Sequence, residues 1–180
     1  MKKHLQIVAG IFLLLATSRL FAQDNNDAIH QLAQSLRSHK NIEVTFTYQT
    51  LGDPDVTEKA NDGTAYFQDE AYKIIMEDQH TISNGTTTWH YIIEDEEVMV
   101  GNAKDDDTPF QILDQLEKDN SGIKAVIDQK GNLKKLEVEI DEGVTLILNI
   151  TEMKFDQDFP KGFFSFDEKA YPNVDIIDMR

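Results

Sequence analysis

From residue 42 onward, apolar and polar side chains alternate with a period of two. Ile42, Val44, Phe46 and Tyr48 are each separated from the next by a polar residue. Because successive side chains of a strand point to opposite faces, this spacing predicts a strand that is buried on one face only. Similar stretches, divided by turn signals such as Asn-Gly, follow along the chain and predict roughly nine or ten strands, most of them joined as hairpins.

Two stretches have helical periodicity instead. The first covers residues 27–40, and the second begins at Thr108-Pro109, a favourable N-cap followed by a favourable first helical position. Their apolar stripes include Leu32, Leu36, Phe110 and Leu113. Since the helices do not alternate with the strands, we expect an α+β fold with a large antiparallel sheet rather than a parallel one.

The first residues have the three-part layout of a secretory signal peptide. Lys2 and Lys3 precede an apolar run from Leu5 to Ala16, and Ala22 offers a small residue for cleavage. The run is about a dozen residues, which is short for a membrane span, and a retained anchor helix is the alternative. We therefore expect residues 1–22 to be removed on export and residues 23–180 to form one soluble domain.

Charge and cysteine content exclude several functions. Asp and Glu number 33 against 17 Lys and Arg, for a formal net charge of −16. A surface of this sign repels nucleic acid and anionic headgroups, so no nucleic-acid partner is expected. The chain has no cysteine, which rules out disulfides, thiol catalysis and thiolate metal sites.

No motif for catalysis or cofactor binding is present in the sequence. It contains no G-x-S-x-G, no H-E-x-x-H and no glycine-rich phosphate loop. The acidic runs "KDDDT" and "EDEE" lack the spacing of a calcium loop and are interpreted as solvated charge. We therefore expect neither an enzyme nor a cofactor or metal site.

The stretch "SNGTTTWHY", residues 83–91, contains the single tryptophan of the chain. A two-residue loop at Asn84-Gly85 predicts that Ser83 pairs with Thr86. In that register Trp89 and Tyr91 share one face with three apolar residues of the preceding strand: Ile74, Met76 and Ile82. The pattern leaves open whether this face is a filled core or the wall of a cavity.

Four segments follow one another along most of residues 23–180. They are the helix-then-strand opening over residues 27–48, the hairpin "ISNGTTTWHY", the stretch "DDDTPFQIL" and the ending "FFSFDEKAYPNVDIIDMR". In their order they resemble the periplasmic carriers of outer-membrane lipoproteins, the LolA-like family. The second segment looks like the family's glycine-turn hairpin, the third is similar to the start of its lid helix, and the fourth is similar to its ending.

This resemblance implies a specific fold and function. The fold would be a strongly curved, unclosed antiparallel β-sheet, a half barrel, covered by two or three helices as a lid. The protein would be a monomeric periplasmic carrier that shields lipoprotein acyl chains or other lipids on their way to the outer membrane. Its partners would be an inner-membrane lipoprotein-releasing transporter and an outer-membrane acceptor. The cavity and lid residues would be Leu32, Leu36, Val44, Phe46, Tyr48, Ile74, Met76, Trp89, Tyr91, Phe110 and Leu113.

Two other functions remain open at this point. One is a lipid-sensing or regulatory binding module of the same fold, in which the cavity detects lipids instead of transporting them. The other is an exported structural or adhesin-like β protein, whose interior would be filled by its own side chains.

Overall fold

The structure, a computed structural model, describes residues 30, 33–34, 37–52, 59–105, 123–128 and 133–180. Ten strands account for most of these residues. Their bounds are β1 Asn41–Leu51, β2 Asn61–Gln68, β3 Ala71–Ile75, β4 Gln79–Ser83, β5 Thr87–Ile92, β6 Glu97–Asn102, β7 Ile123–Ile127, β8 Leu133–Asp141, β9 Val144–Phe155 and β10 Asp175–Asp178.

All ten strands belong to one sheet, in the order β10-β6-β5-β4-β3-β2-β1-β9-β8-β7. Consecutive strands pair with each other from β1 through β6, and again from β7 through β9. The pairing of β1 with β9 joins the two groups. Neighbours are antiparallel except β10 and β6, which run parallel, so the sheet is mixed.

One face of the sheet, which we call the core face, carries the larger hydrophobic cluster. Residues of β1, β2, β3, β7, β8 and β9 form it, and Ala33 packs into it from outside the sheet. Val44, Phe46 and Leu148 have no exposed surface. The strand predicted over residues 42–48 is confirmed, because its apolar residues alternate into this cluster.

Residues 156–174, which we call the strap, lead from β9 across the opposite face to β10. Phe163 packs edge-on against Tyr66 of β2, with 4.9 Å between ring centroids. Further along, Phe166 and Tyr171 lie 5.9 Å and 5.0 Å from the ring of Tyr91 on β5. We call this the strap face, and its buried cluster consists of Ile82, Tyr91, Val98, Val100 and Phe166.

The predicted fold class, an α+β half barrel covered by two or three lid helices, is wrong. Among the described residues the only complete helices are two 3₁₀ turns of three residues, Ala103–Asp105 and Glu168–Ala170. Of the first predicted helix, only positions 30, 33, 34 and 37 are described as helical, and the second lies outside the described residues. The strap face is covered by an irregular segment, in which Pro160, Gly162 and Pro172 disfavour a continuous helix.

The predicted hairpin register is also wrong. Asn84 binds the backbone N–H groups of Thr86 and Thr87 through its side-chain oxygen, which makes a four-residue loop in which Ser83 pairs with Thr88. The larger error lies upstream, where the prediction ran one strand through residues 74–82. A turn closed by the Met76 N–H and the Gln79 carbonyl, 3.0 Å apart, separates β3 from β4 there.

Phe46 packs directly on Gly63, its cross-strand partner in β2. A Cβ on Gly63 would lie 2.1 Å from Phe46 Cζ, whereas no described atom lies within 4 Å of a Cβ on Gly101 in β6. Position 63 therefore has to be glycine for the ring of Phe46 to lie flat on the sheet.

We predict that Gly63→Ala lowers the free energy of unfolding by about 1–3 kcal/mol, because the buried ring of Phe46 must move. Gly101→Ala is the matched control and is expected to change stability by less than about 0.5 kcal/mol. Urea unfolding of both variants measures the difference. Equal effects of the two substitutions would contradict the packing of Phe46 on Gly63.

Candidate functional site

The structure divides the predicted site residues between the two faces. Val44, Phe46, Tyr48, Ile74 and Met76 all belong to the cluster on the core face. Trp89 and Tyr91 belong to the cluster on the strap face, so they do not share a surface with Ile74 and Met76. The predicted lid residues Leu32, Leu36, Phe110 and Leu113 lie outside the described residues.

On the strap face, side chains of the strap pack against Trp89 and Tyr91. Trp89 is half-buried against the cluster that contains Phe166, and the Tyr91 ring contacts both Phe166 and Tyr171. His80 packs edge-on against Tyr91 at 5.6 Å, and burial, followed by the charge of Lys73, lowers the pKa of His80. These contacts assign Trp89 to the packing of the strap, so the core face is the better candidate for binding.

The apolar part of the core face extends without interruption across β9, β1, β2 and β3. One row of cross-strand partners runs through Met153, Val44, Ala65 and Ile74. A second row runs through Phe155, Ile42, Phe67 and Tyr72. Because each strand contributes an apolar side chain to both rows, this part of the face is one continuous apolar surface.

A groove of about 490 Å³ opens where this surface reaches the end of the strands. Its volume lies within the range of roughly 300–1,000 Å³ typical of small-molecule sites. Gly63 and Met76 of the lining belong to the core face, where the ring of Phe46 covers Gly63, whereas Thr64 and Ile75 are cross-strand partners on the opposite face. Asp62 and Glu77 are charged and exposed. The complete lining is Lys59, Ala60, Asn61, Asp62, Gly63, Thr64, Ile75, Met76 and Glu77.

Tyr48 marks the same end of the core face. Its hydroxyl lies 3.4 Å from Asp78 Oδ1 and interacts with the side chain of Asn61 at the groove. Burial, and then the negative charge of Asp78, raise the pKa of Tyr48 to about 12. The phenol therefore stays neutral at physiological pH, and it places a hydroxyl beside an otherwise apolar surface.

Beyond β3 the core face changes from apolar to polar. Thr81 and Ser83 of β4 and Thr88 of β5 are almost completely buried on this face. Thr81 Oγ1 lies 3.4 Å from His90 Nδ1, and Ser83 Oγ accepts from the Gly85 N–H at 3.3 Å. Thr88 Oγ1 is buried without a hydrogen-bond partner.

Sequence reasoning missed these hydroxyls. The pattern does group Thr81, Thr88 and His90 on one face, but a polar face is expected to contact water, not to be buried. The threonine run before Trp89 was the available signal, since β-branched residues fit a covered strand as well as an exposed one.

Two other kinds of site are absent from the described residues. No group of three or more His, Cys, Asp or Glu side chains among them could hold a metal ion. Within the same residues, no helix combines the length and apolar composition needed to cross a bilayer.

Comparisons with known proteins show the fold and no more. No protein-family profile and no curated protein matches the chain. An uncharacterized conserved protein from Thermus thermophilus is similar in structure, with a TM-score of 0.52 and 8% identity over 84% of this chain and 95% of that one. A LolA superfamily protein from Nitrosomonas europaea aligns with a TM-score of 0.42 and 10% identity over 80% of this chain and 99% of that one. The second similarity is too low to support an argument.

We predict that Tyr48 makes folding sensitive to alkaline pH. Its pKa is about 12 in the folded state against 10.0 for the free side chain, so its contribution is complete below pH 10 and is lost as pH rises toward 12. The free energy of unfolding should fall by about 1 kcal/mol between pH 10 and pH 11 through this group alone. Urea unfolding at the two pH values measures it, and Tyr48→Phe should remove that part of the slope. An unchanged slope in the variant would contradict the shift.

Proposed function

We propose that this protein is an exported carrier of acyl chains, which come from lipoproteins or other lipids, and that it acts without catalysis. The observation that carries the proposal is the continuous apolar surface on the core face, which ends beside an open groove at the ends of β2 and β3. An acyl chain can enter at this end of the sheet and continue along the apolar rows.

The energetics of acyl chains explain why such a carrier is needed. Each buried methylene contributes about 0.8 kcal/mol, so three long chains amount to on the order of 30 kcal/mol. Non-covalent affinities reach a ceiling near roughly 20 kcal/mol. A carrier therefore shields such chains in part and releases them again, and this work requires a surface rather than a reactive group.

Loading requires a part of the protein to move. Val44 and Leu148 have no exposed surface, and Ala33 packs against the same cluster from outside the sheet. A long chain therefore reaches the buried rows only after the contacts that bury Val44 and Leu148, that of Ala33 among them, have opened. The groove is already open, so the first contact with a ligand needs no such movement.

The location and partners follow from the sequence rather than from the fold. The signal-peptide pattern over residues 1–22 and the resemblance to lipoprotein carriers support a monomer in the periplasm. The carrier would receive its cargo from an inner-membrane transporter and deliver it to an outer-membrane acceptor. The formal net charge of −16 disfavours adsorption to anionic lipid, which suits a protein that has to leave the membrane again.

A second candidate is an exported structural or adhesin-like β protein with a filled interior. The complete burial of Val44, Phe46 and Leu148 favours it, because a core packed by its own side chains has the same appearance. The two functions differ in one measurable property, the uptake of an apolar probe by the native protein.

Binding of the apolar fluorophore N-phenylnaphthylamine, and its displacement by monopalmitoylglycerol, tests the proposal. We expect both in the wild-type protein. Ala60 lines the groove and is exposed, so Ala60→Trp should fill the groove and weaken probe binding on the order of tenfold. Ala170→Trp is the matched control, since Ala170 is an exposed alanine on the strap.

The outcomes separate the two candidates. Binding that is weakened by Ala60→Trp but not by Ala170→Trp supports a carrier that is entered at the groove. A native protein that neither binds the fluorophore nor is stabilised by the lipid would overturn the carrier and favour the filled core.

A further inference from the structure

The core face has two chemically different parts, and their boundary lies between β3 and β4. One row of cross-strand partners crosses it, from Tyr72 of β3 through Ser83 and Thr88 to Gly101. The aromatic ring at its start is followed by two hydroxyls and then by no side chain at all. The side chains beyond Tyr72 are thus small, and the two before Gly101 are polar.

Thr88 is the central residue of the polar part. Its side chain has no exposed surface, and its hydroxyl has no hydrogen-bond partner. A buried hydroxyl without a partner destabilises a fold, whereas valine has the same shape and avoids this cost. An unpaired donor at a fully buried position points to a ligand group that accepts the bond.

The space for such a group lies beside Thr88. Gly101 is its cross-strand partner, so a side chain there would project from the same face. No described atom lies within 4 Å of the position that a Cβ on Gly101 would occupy. The unpaired hydroxyl and the unfilled position are therefore immediate neighbours.

The chemistry of the surroundings indicates a neutral acceptor. The strand residues that the structure describes next to Thr88 on this face are Ser83, Gly101 and, one row away, Thr81, His90 and Met99. None of these is a lysine, an arginine or an acid, so the location suits neither a phosphate nor an ammonium group. A carbonyl oxygen needs only the neutral donor that Thr88 supplies.

We propose that Thr88 donates a hydrogen bond to the carbonyl oxygen of the ester or amide that joins an acyl chain to its head group. This subsite rests on the proposed carrier function and names the part of the ligand that the protein recognises. The acyl chain then runs from Thr88 over Tyr72 and Phe67 toward Phe155.

The dimensions of the sheet agree with this placement. From β5 to β9 the row crosses five strand spacings, which amount to about 24 Å. One leaflet of a bilayer is about 15 Å thick in its hydrocarbon part, half of the roughly 30 Å core. An acyl chain of that length whose carbonyl lies at Thr88 therefore crosses β4, reaches the side chains of Tyr72 and Phe67, and stays within the span of the row.

Two ligands that differ only in the carbonyl test the subsite. Monopalmitoylglycerol carries an ester, and monohexadecylglycerol carries an ether at the same position. Competition with bound N-phenylnaphthylamine gives the affinity of the full-length mature protein for each. We expect the wild-type protein to prefer the ester on the order of fivefold, the effect of one neutral hydrogen bond.

The Thr88→Val variant should lose this preference while it keeps its affinity for the ether, and Thr88→Ser should retain the preference. Thr87→Val is the control, because Thr87 precedes Thr88 and lies on the strap face. Without ligand, Thr88→Val should raise the urea midpoint, since it removes a buried unpaired hydroxyl. Gly101→Val should weaken the binding of the ester by filling the space that its carbonyl needs.

Each outcome has a defined meaning. If both lipids bind equally well to the wild type, or if Thr88→Val keeps the ester preference, the subsite is wrong while the carrier function stands. If neither lipid displaces the fluorophore, and the fluorophore itself does not bind, the carrier function fails and the subsite fails with it. Loss of the preference in Thr88→Val but not in Thr87→Val supports the assignment.

Discussion

The structure depends on the two-residue turn at Glu77 and Asp78, which sends β3 back as β4. Side chains alternate between faces, so the turn determines which residues of β4 continue the core face. They are Thr81 and Ser83, whereas Ile82 points to the opposite face. The apolar surface therefore changes sides at this turn: it lies on the core face up to β3 and on the strap face from β4 to β6.

The packing on both faces of the sheet follows from this change. The apolar side chains of β4 to β6 need shielding on the strap face, and Phe166 and Tyr171 provide it. The strap leads into β10, which pairs parallel to β6. The chain that covers this cluster is thus also bonded to the strand that contributes Val98 and Val100 to it. On the core face the same change buries hydroxyls next to an apolar surface, and the proposed ligand site rests on this juxtaposition.

Particular residues show how much of this the sequence could predict. The alternation at Ile42, Val44, Phe46 and Tyr48 predicted β1 and its buried face, because local periodicity is set by the strand itself. The interruption between β3 and β4 was not predicted, since Glu77-Asp78 carries neither glycine nor proline to signal a turn. The faces of Trp89 and Tyr91 were consequently assigned wrongly. Likewise, no local pattern marks the register shift of β9 opposite Thr45 and Phe46.

The proposed binding site was predictable only in its apolar half. Val44, Phe46, Tyr48, Ile74 and Met76 were chosen for their hydrophobicity, and they do lie together on the core face. The groove at Gly63 and the buried hydroxyl of Thr88 depend on cross-strand neighbours that are distant in sequence, so no local pattern reveals them. Charge and composition excluded other functions, but they could not indicate where a ligand would contact the protein.

The central claim is that the core face holds acyl chains, and native mass spectrometry of the full chain, after export in a bacterial host, tests it most directly. The spectrum should contain the mature protein together with a bound acyl lipid or lipidated protein, which collisional activation releases as a species with ester- or amide-linked chains. A mature protein that is recovered free of lipid, and that remains so after incubation with monopalmitoylglycerol, would contradict the claim.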